Sequence, residues 1–133
     1  MVRQSLTGEP SGLLPRVPVK INVAPQSFVV SPNHWQWYPV ILPEGAINGR
    51  LKGRFTVSGG MGNDIQCVVT DEDGLENMKN HLAYRTYFNS GKVTVQTLDV
   101  RLSPGTYYVV FNNTFSLLSN KAVNGALVVE YEK

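Results

Sequence analysis

From about residue 17 onward, short alternations of apolar and polar side chains are cut by turn residues, the pattern of antiparallel strands in a sandwich or barrel. Val19, Ile21 and Val23 alternate with Lys20 and Asn22, and Phe28 to Val30 is a short apolar run. His34 to Leu42 carries two tryptophans and a tyrosine but is broken by Pro39. Proline has no N–H to give a ladder, so this segment is expected to be an edge or bent strand. Leu51, Gly53, Phe55 and Val57 alternate with Arg50, Lys52, Arg54 and Thr56, which predicts a half-buried strand. Gly59, Gly60 and Gly62 form a flexible corner before the alternation Ile65, Cys67, Val69.

One short helix follows. Asp73 is placed to cap it, with Glu76 three residues later as a capping box requires. Leu75, Met78 and Leu82 then share a face over about two turns. Asn89 to Gly91 is a turn. Val93 and Val95 have one parity and Leu98, Val100 and Leu102 the other, which predicts a bulge or break near Gln96 to Leu98. Ser103-Pro104-Gly105-Thr106 fits a type II turn. Tyr107 to Phe111 is apolar on both faces, so it belongs at the centre of a sheet. A last strand runs from Lys121 to Tyr131, with a bulge expected at Asn124-Gly125.

The sum is about eight strands and one short helix, with no βαβ alternation. That is an all-β, jelly-roll-like sandwich of two antiparallel sheets over residues 18–133. Residues 1–17 carry Gly8, Pro10, Gly12 and Pro15 without a period and read as an extended or disordered arm. Leu13 and Leu14 are its candidates for pinning it to the body.

Composition narrows the function classes. The 133 residues suffice for one domain without staples, and a net charge of +2 without a basic cluster argues against nucleic acid. The single cysteine, Cys67, excludes an internal disulfide and a multi-cysteine zinc site; its alternating apolar surroundings predict a buried thiol. No apolar run is long enough for a transmembrane helix. The first residues lack the apolar core of a signal peptide, so the compartment stays open, and a secreted or periplasmic setting would need a leader removed ahead of them.

Candidate chemistry is sparse. His34 and His81 lie in no nucleophile-elbow pattern, so no catalytic residue is nominated, no cofactor is expected, and the chain is read as a non-enzyme. Asp71 and Asp73, in Asp71-Glu72-Asp73-Gly74 with Asp64 upstream, are oxygen ligands that could suit calcium; the same residues also suit a helix start. The glycine-rich Ser58 to Gly62 lacks the lysine of a phosphate cradle. Trp35, Trp37 and Tyr38 are the candidate ligand-binding cluster, with both tryptophans on one side of an extended strand and Tyr38 on the other. The favoured expectation is that at least one of the tryptophans is buried and closes one end of the core. The sequon Asn112-Asn113-Thr114 reads as a structural turn.

The run GTYYVVFNNTFSLLSNKAVNGALVVEY, Gly105 to Tyr131, resembles the closing hairpin of the GOLD domain family. The pattern is Gly105, Tyr107, an apolar strand, Asn112 or Asn113, Phe115-Ser116, then a final strand after Lys121. Upstream, GRFTVSGGMGNDIQCVVTDEDG, Gly53 to Gly74, resembles the family's earlier hairpin. The family includes lumenal cargo receptors and the last domain of some lipid-transfer proteins, and this chain looks closest to stand-alone bacterial versions. It lacks the receptors' cysteine pair, and no coiled coil or membrane helix follows within the sequence. The resemblance implies a β-sandwich and a role in protein association, and cargo reception is not carried over.

The expected function is therefore a non-catalytic protein-interaction module, self-associating or binding another protein through a sheet face or edge. Val68, Tyr108 and Val110 are the candidates for an outward apolar patch. The alternative is a carbohydrate- or lipid-binding sandwich that uses Trp35, Trp37 and Tyr38.

Overall fold

The computed structural model describes residues 15–60 and 62–133. Among them are nine strands and one helix, in two antiparallel sheets packed face to face. The strands are β1 (Pro18–Asn22), β2 (Ser27–Val30), β3 (Trp35–Leu42), β4 (Ile47–Ser58), β5 (Ile65–Asp71), β6 (Phe88–Val93), β7 (Val95–Arg101), β8 (Gly105–Asn112) and β9 (Lys121–Glu132). Helix α1 (Glu72–Lys79) lies between β5 and β6. The first sheet runs β1-β9-β4-β7, with β2 also on β9; the second runs β3-β8-β5-β6. The all-β sandwich expected from the alternation is the fold observed. Leu13 and Leu14 lie outside the described residues. The pairing with β9 begins at Val17, which exchanges both backbone bonds with Lys133.

The interior follows the alternation closely. Phe55, Leu98, Val123 and Leu127 of the first sheet meet Val40, Ile65, Val69 and Val109 of the second, all buried. Phe55 and Phe28 both pack on the buried Phe111, and Tyr38 packs on Phe28, in a chain of edge-to-face contacts with centroids 4.9 to 5.3 Å apart. That arrangement sets positive ring edges against negative ring faces. Cys67 is fully buried in this core, and burial pushes its thiol pKa up. β3, with Pro39, is an edge strand and β8 a central one, as read from the sequence.

Several local expectations are corrected. The parity change after Val95 is no bulge at Gln96 to Leu98. It marks a change of sheet at Thr94, where the chain leaves β6 in one sheet and enters β7 in the other. The register of β9 on β4 runs unbroken past Asn124 and Gly125. Gly125 is needed there because a Cβ would collide with the Arg54 carbonyl and the Phe55 side chain. Gly105 has φ 154°, far from the +80° of a type II turn; it opens β8, and the Tyr107 hydroxyl donates to the Ser103 carbonyl at 2.8 Å. The helix is capped by Asp71 rather than Asp73: Asp71 Oδ1 accepts the Gly74 N–H at 2.8 Å. Leu75 and Met78 are buried, but Leu82 lies past the helix end and is exposed.

The largest correction concerns the outward face of the second sheet. Val68 and Val110 point away from the sandwich interior, yet both are 0% exposed. Leu75 and Met78 of α1 cover them, and Trp35, Trp37, Tyr84 and Tyr108 pack around the same cluster. The apolar outer face is thus a second small core closed by the chain's own helix. The outer face of the first sheet is charged: Lys20 and Lys52 share Glu130, and Arg50 meets Asp99 at 3.3 Å. The alternating Arg50 and Lys52 thus face carboxylates on neighbouring strands.

Candidate functional site

The antiparallel register brings three connections to one end of the sandwich: β2–β3, the glycine corner between β4 and β5, and β8–β9. Asn113 ties two of them together. Its side chain is buried, and Nδ2 donates to the carbonyls of Val30, Ser31 and Ser119 at 3.2, 3.2 and 2.9 Å. The Asn33 N–H donates back to the carbonyls of Asn113 and Ser116. Gly60 packs so closely on Ser119 that a Cβ would strike its hydroxyl, so the glycine corner is fitted against the β8–β9 loop. Lys121, 2% exposed, reaches Asp64 at 3.4 Å beneath the same loop. The sequon residues do structural work here: Asn112 Nδ2 donates to Gln66, and Asn112 Oδ1 accepts the Thr114 N–H.

Helix α1 starts at the opposite end, where β5 finishes, and runs back across the second sheet. Its C-terminus therefore arrives beside the start of β3. Lys79 Nζ sits 4.8 Å above the Trp37 ring. An open groove of about 630 Å³ forms between β3, the end of α1 and the β8–β9 loop. Trp35 and Trp37 line it together with His34, Lys79, His81 and Thr114.

The helix ends in a motif that explains the shape of this wall. The His81 N–H donates to the Met78 carbonyl and the Leu82 N–H to the Asn77 carbonyl. That is the double bond pattern of a Schellman cap, whose left-handed position is usually glycine. Here it is His81, at φ 58°. Asn33, which also lines the groove, is left-handed too, at φ 59°.

Of the candidate binding residues, the structure brings Trp35 and Trp37 together and separates Tyr38 from them. Both indoles are partly exposed and lie on the outer cluster, so neither closes the sandwich core. Tyr38 points inward against Phe28, and burial raises its phenol pKa. The Trp35 indole N–H is shielded and has no acceptor among the described residues. Asp71 and Asp73 do not converge as ligands. Asp71 uses Oδ1 on the Gly74 N–H and Oδ2 on the Tyr87 hydroxyl, and Asp73 is exposed in the first turn of the helix. Asp64 sits at the other end of β5, about 20 Å away at 3.3 Å per residue. Among the described residues no three His, Cys, Asp or Glu side chains gather as a metal site.

Lys79, His81 and Thr114 were not nominated from sequence as site residues. His81 carried a readable signal, since a histidine occupies the place after a helix where glycine is usual. A second signal was the doublet Leu117-Leu118 between the polar Ser116 and Ser119-Asn120 of the loop. The two side chains are 81% and 92% exposed. No helix among the described residues is long and apolar enough to cross a membrane. No family model matches the chain, and a search of curated proteins finds no match.

Proposed function

We propose that the chain is a non-catalytic interaction module that meets its partner through the groove end of the sandwich, with Trp35 and Trp37 as contacts. The observation that carries this reading is the distribution of apolar surface. The sheet face expected to associate is closed by α1, and the other sheet face is laced with ion pairs. The groove end instead gathers two partly exposed indoles and two protruding leucines. Isolated exposed apolar residues are ordinary, but such a concentration marks contact surfaces. His34, on the groove wall, has its Nδ1 engaged with the Pro32 carbonyl. The GOLD-like assignment is part of the same proposal. It rests on the run Gly105 to Tyr131, which spans β8, the pinned loop and β9.

A second reading keeps a small carbohydrate or lipid ligand in the groove. Its volume falls within the range of ordinary ligand sites. One experiment serves both. Sedimentation velocity tests self-association, while indole fluorescence follows titration with polysaccharides and lipids. The double variant Trp35→Ala/Trp37→Ala is expected to lose whatever binding is found while keeping its far-ultraviolet dichroism and cooperative melt. Unfolding of that variant, or binding that survives it, refutes the assignment of the tryptophans as contacts.

A further inference from the structure

We infer that the partner surface is a lipid bilayer with anionic headgroups, and that Leu117 and Leu118 insert into it as a wedge. The inference rests on the reading of the groove end as the binding end and names what it binds.

Leu117 and Leu118 are the most exposed large apolar side chains among the described residues. They sit at the tip of the β8–β9 loop, and that loop is well held at its base. Asn113 bonds three carbonyls, and Ser116 Oγ both donates to the Ser119 carbonyl and accepts its N–H, at 3.1 and 3.2 Å. A loop pinned this way presents its leucines to water in a fixed direction. The same end carries two amphipathic indoles suited to an interface, Trp35 and Trp37 in the groove, and the apolar ring of Phe115 lies within the loop itself.

Charge at this end complements an anionic surface. Lys79 Nζ lies over Trp37, and Lys92 Nζ lies 4.3 Å over Phe115. Neither has a carboxylate partner among the described residues, whereas Asp64 is occupied by Lys121. Glu76 lies one turn back along α1, bonded to Asn80. The acidic first turn, Asp71 to Asp73, is at the far end of the helix. Both ammonium groups are held over ring faces beside the protruding loop, where an anionic headgroup would meet them. A bilayer also accepts a narrow protruding pair of leucines, since fluid lipid needs no matching shape. A protein partner of usual affinity needs a broad complementary patch of about 800 Å² a side.

Both tryptophans of the chain are at this end, so intrinsic fluorescence reports on it directly. The test is titration of the whole chain with vesicles of phosphatidylcholine alone and of phosphatidylcholine with phosphatidylserine, read by emission and co-sedimentation. With anionic vesicles the emission should shift to the blue, acrylamide quenching should fall, and the protein should sediment. Leu117→Ser/Leu118→Ser should weaken partitioning at least tenfold with an unchanged melt, and Lys79→Glu/Lys92→Glu should weaken it and flatten its salt dependence. Ile41→Ser, which removes an equally apolar exposed residue at the opposite end of β3, should leave it intact. No partition into either vesicle at millimolar lipid, or partition indifferent to the leucine variant, overturns the lipid inference. If the tryptophan variant nevertheless loses a soluble partner or self-association, the binding end stands and only its lipid identity falls.

Discussion

A single residue shows how the site is written into the backbone. His81 completes a Schellman cap in a conformation that costs an L-residue about 1 kcal/mol and costs glycine little. Replacing it with glycine keeps the cap and removes the strain. His81→Gly is expected to gain about 0.5–1 kcal/mol in chemical denaturation while taking away one wall of the groove. A loss of stability would mean that the imidazole makes contacts outweighing its backbone cost. Residue-level reading succeeded where one side chain's surroundings follow from its neighbours in sequence, as at Cys67, Pro39 and the sequon. It failed for Gly125, whose partner is the Arg54 carbonyl on a strand some seventy residues earlier in the chain.

Helix α1 shows the limits of local signals at the scale of an element. Asp71, Glu72 and Asp73 are all acceptable near a helix start, and the capping-box rule selects Asp73. The structure selects Asp71, because β5 ends there and the Tyr87 hydroxyl donates to its second oxygen at 3.1 Å. Asp71→Ala should therefore cost about 1 kcal/mol. It should also speed amide exchange in α1 and at Val68 and Val110, which the helix covers. Asp73→Ala should stay within about 0.5 kcal/mol of the parent. Equal effects would place the cap back at Asp73. The parity change after Val95 is similar: the sequence revealed that something breaks, and only the pairing of β6 with β5 and β7 with β4 shows that the break is a move between sheets.

The whole molecule is a sandwich with two unequal cores. The large one holds the aromatic chain around Phe111, and the small one lies between the second sheet and α1. Cys67 reports on the large core. Its folded pKa is raised by burial, so the folded state holds the thiol proton where the unfolded chain releases it. The associated stability is intact below the ordinary thiol range near 8.5 and falls as pH rises beyond it, by about 1.4 kcal/mol per unit. Urea titrations between pH 8 and 10 should show this slope in the parent and a shallower one in Cys67→Ala. Identical slopes would show that the thiol ionises in the folded state. In the native protein the thiol should also resist modifying reagents until global unfolding.

The sequence alone determined the layering of this protein. A period of two over most of nine strands admits few solutions other than two sheets around a dry interior, since each strand must bury one face. It also set the edge role of β3 and the central role of β8, through one proline and one doubly apolar run. The tertiary structure alone decided where α1 lies, and so which apolar surface is covered by the chain's own helix and which stays exposed. Alternation tells which side a residue faces and carries no information about what covers that side. Val68 and Val110 were legible as outward-facing yet lie under α1, while the groove needed Trp35, His81 and Thr114 brought together from three distant segments.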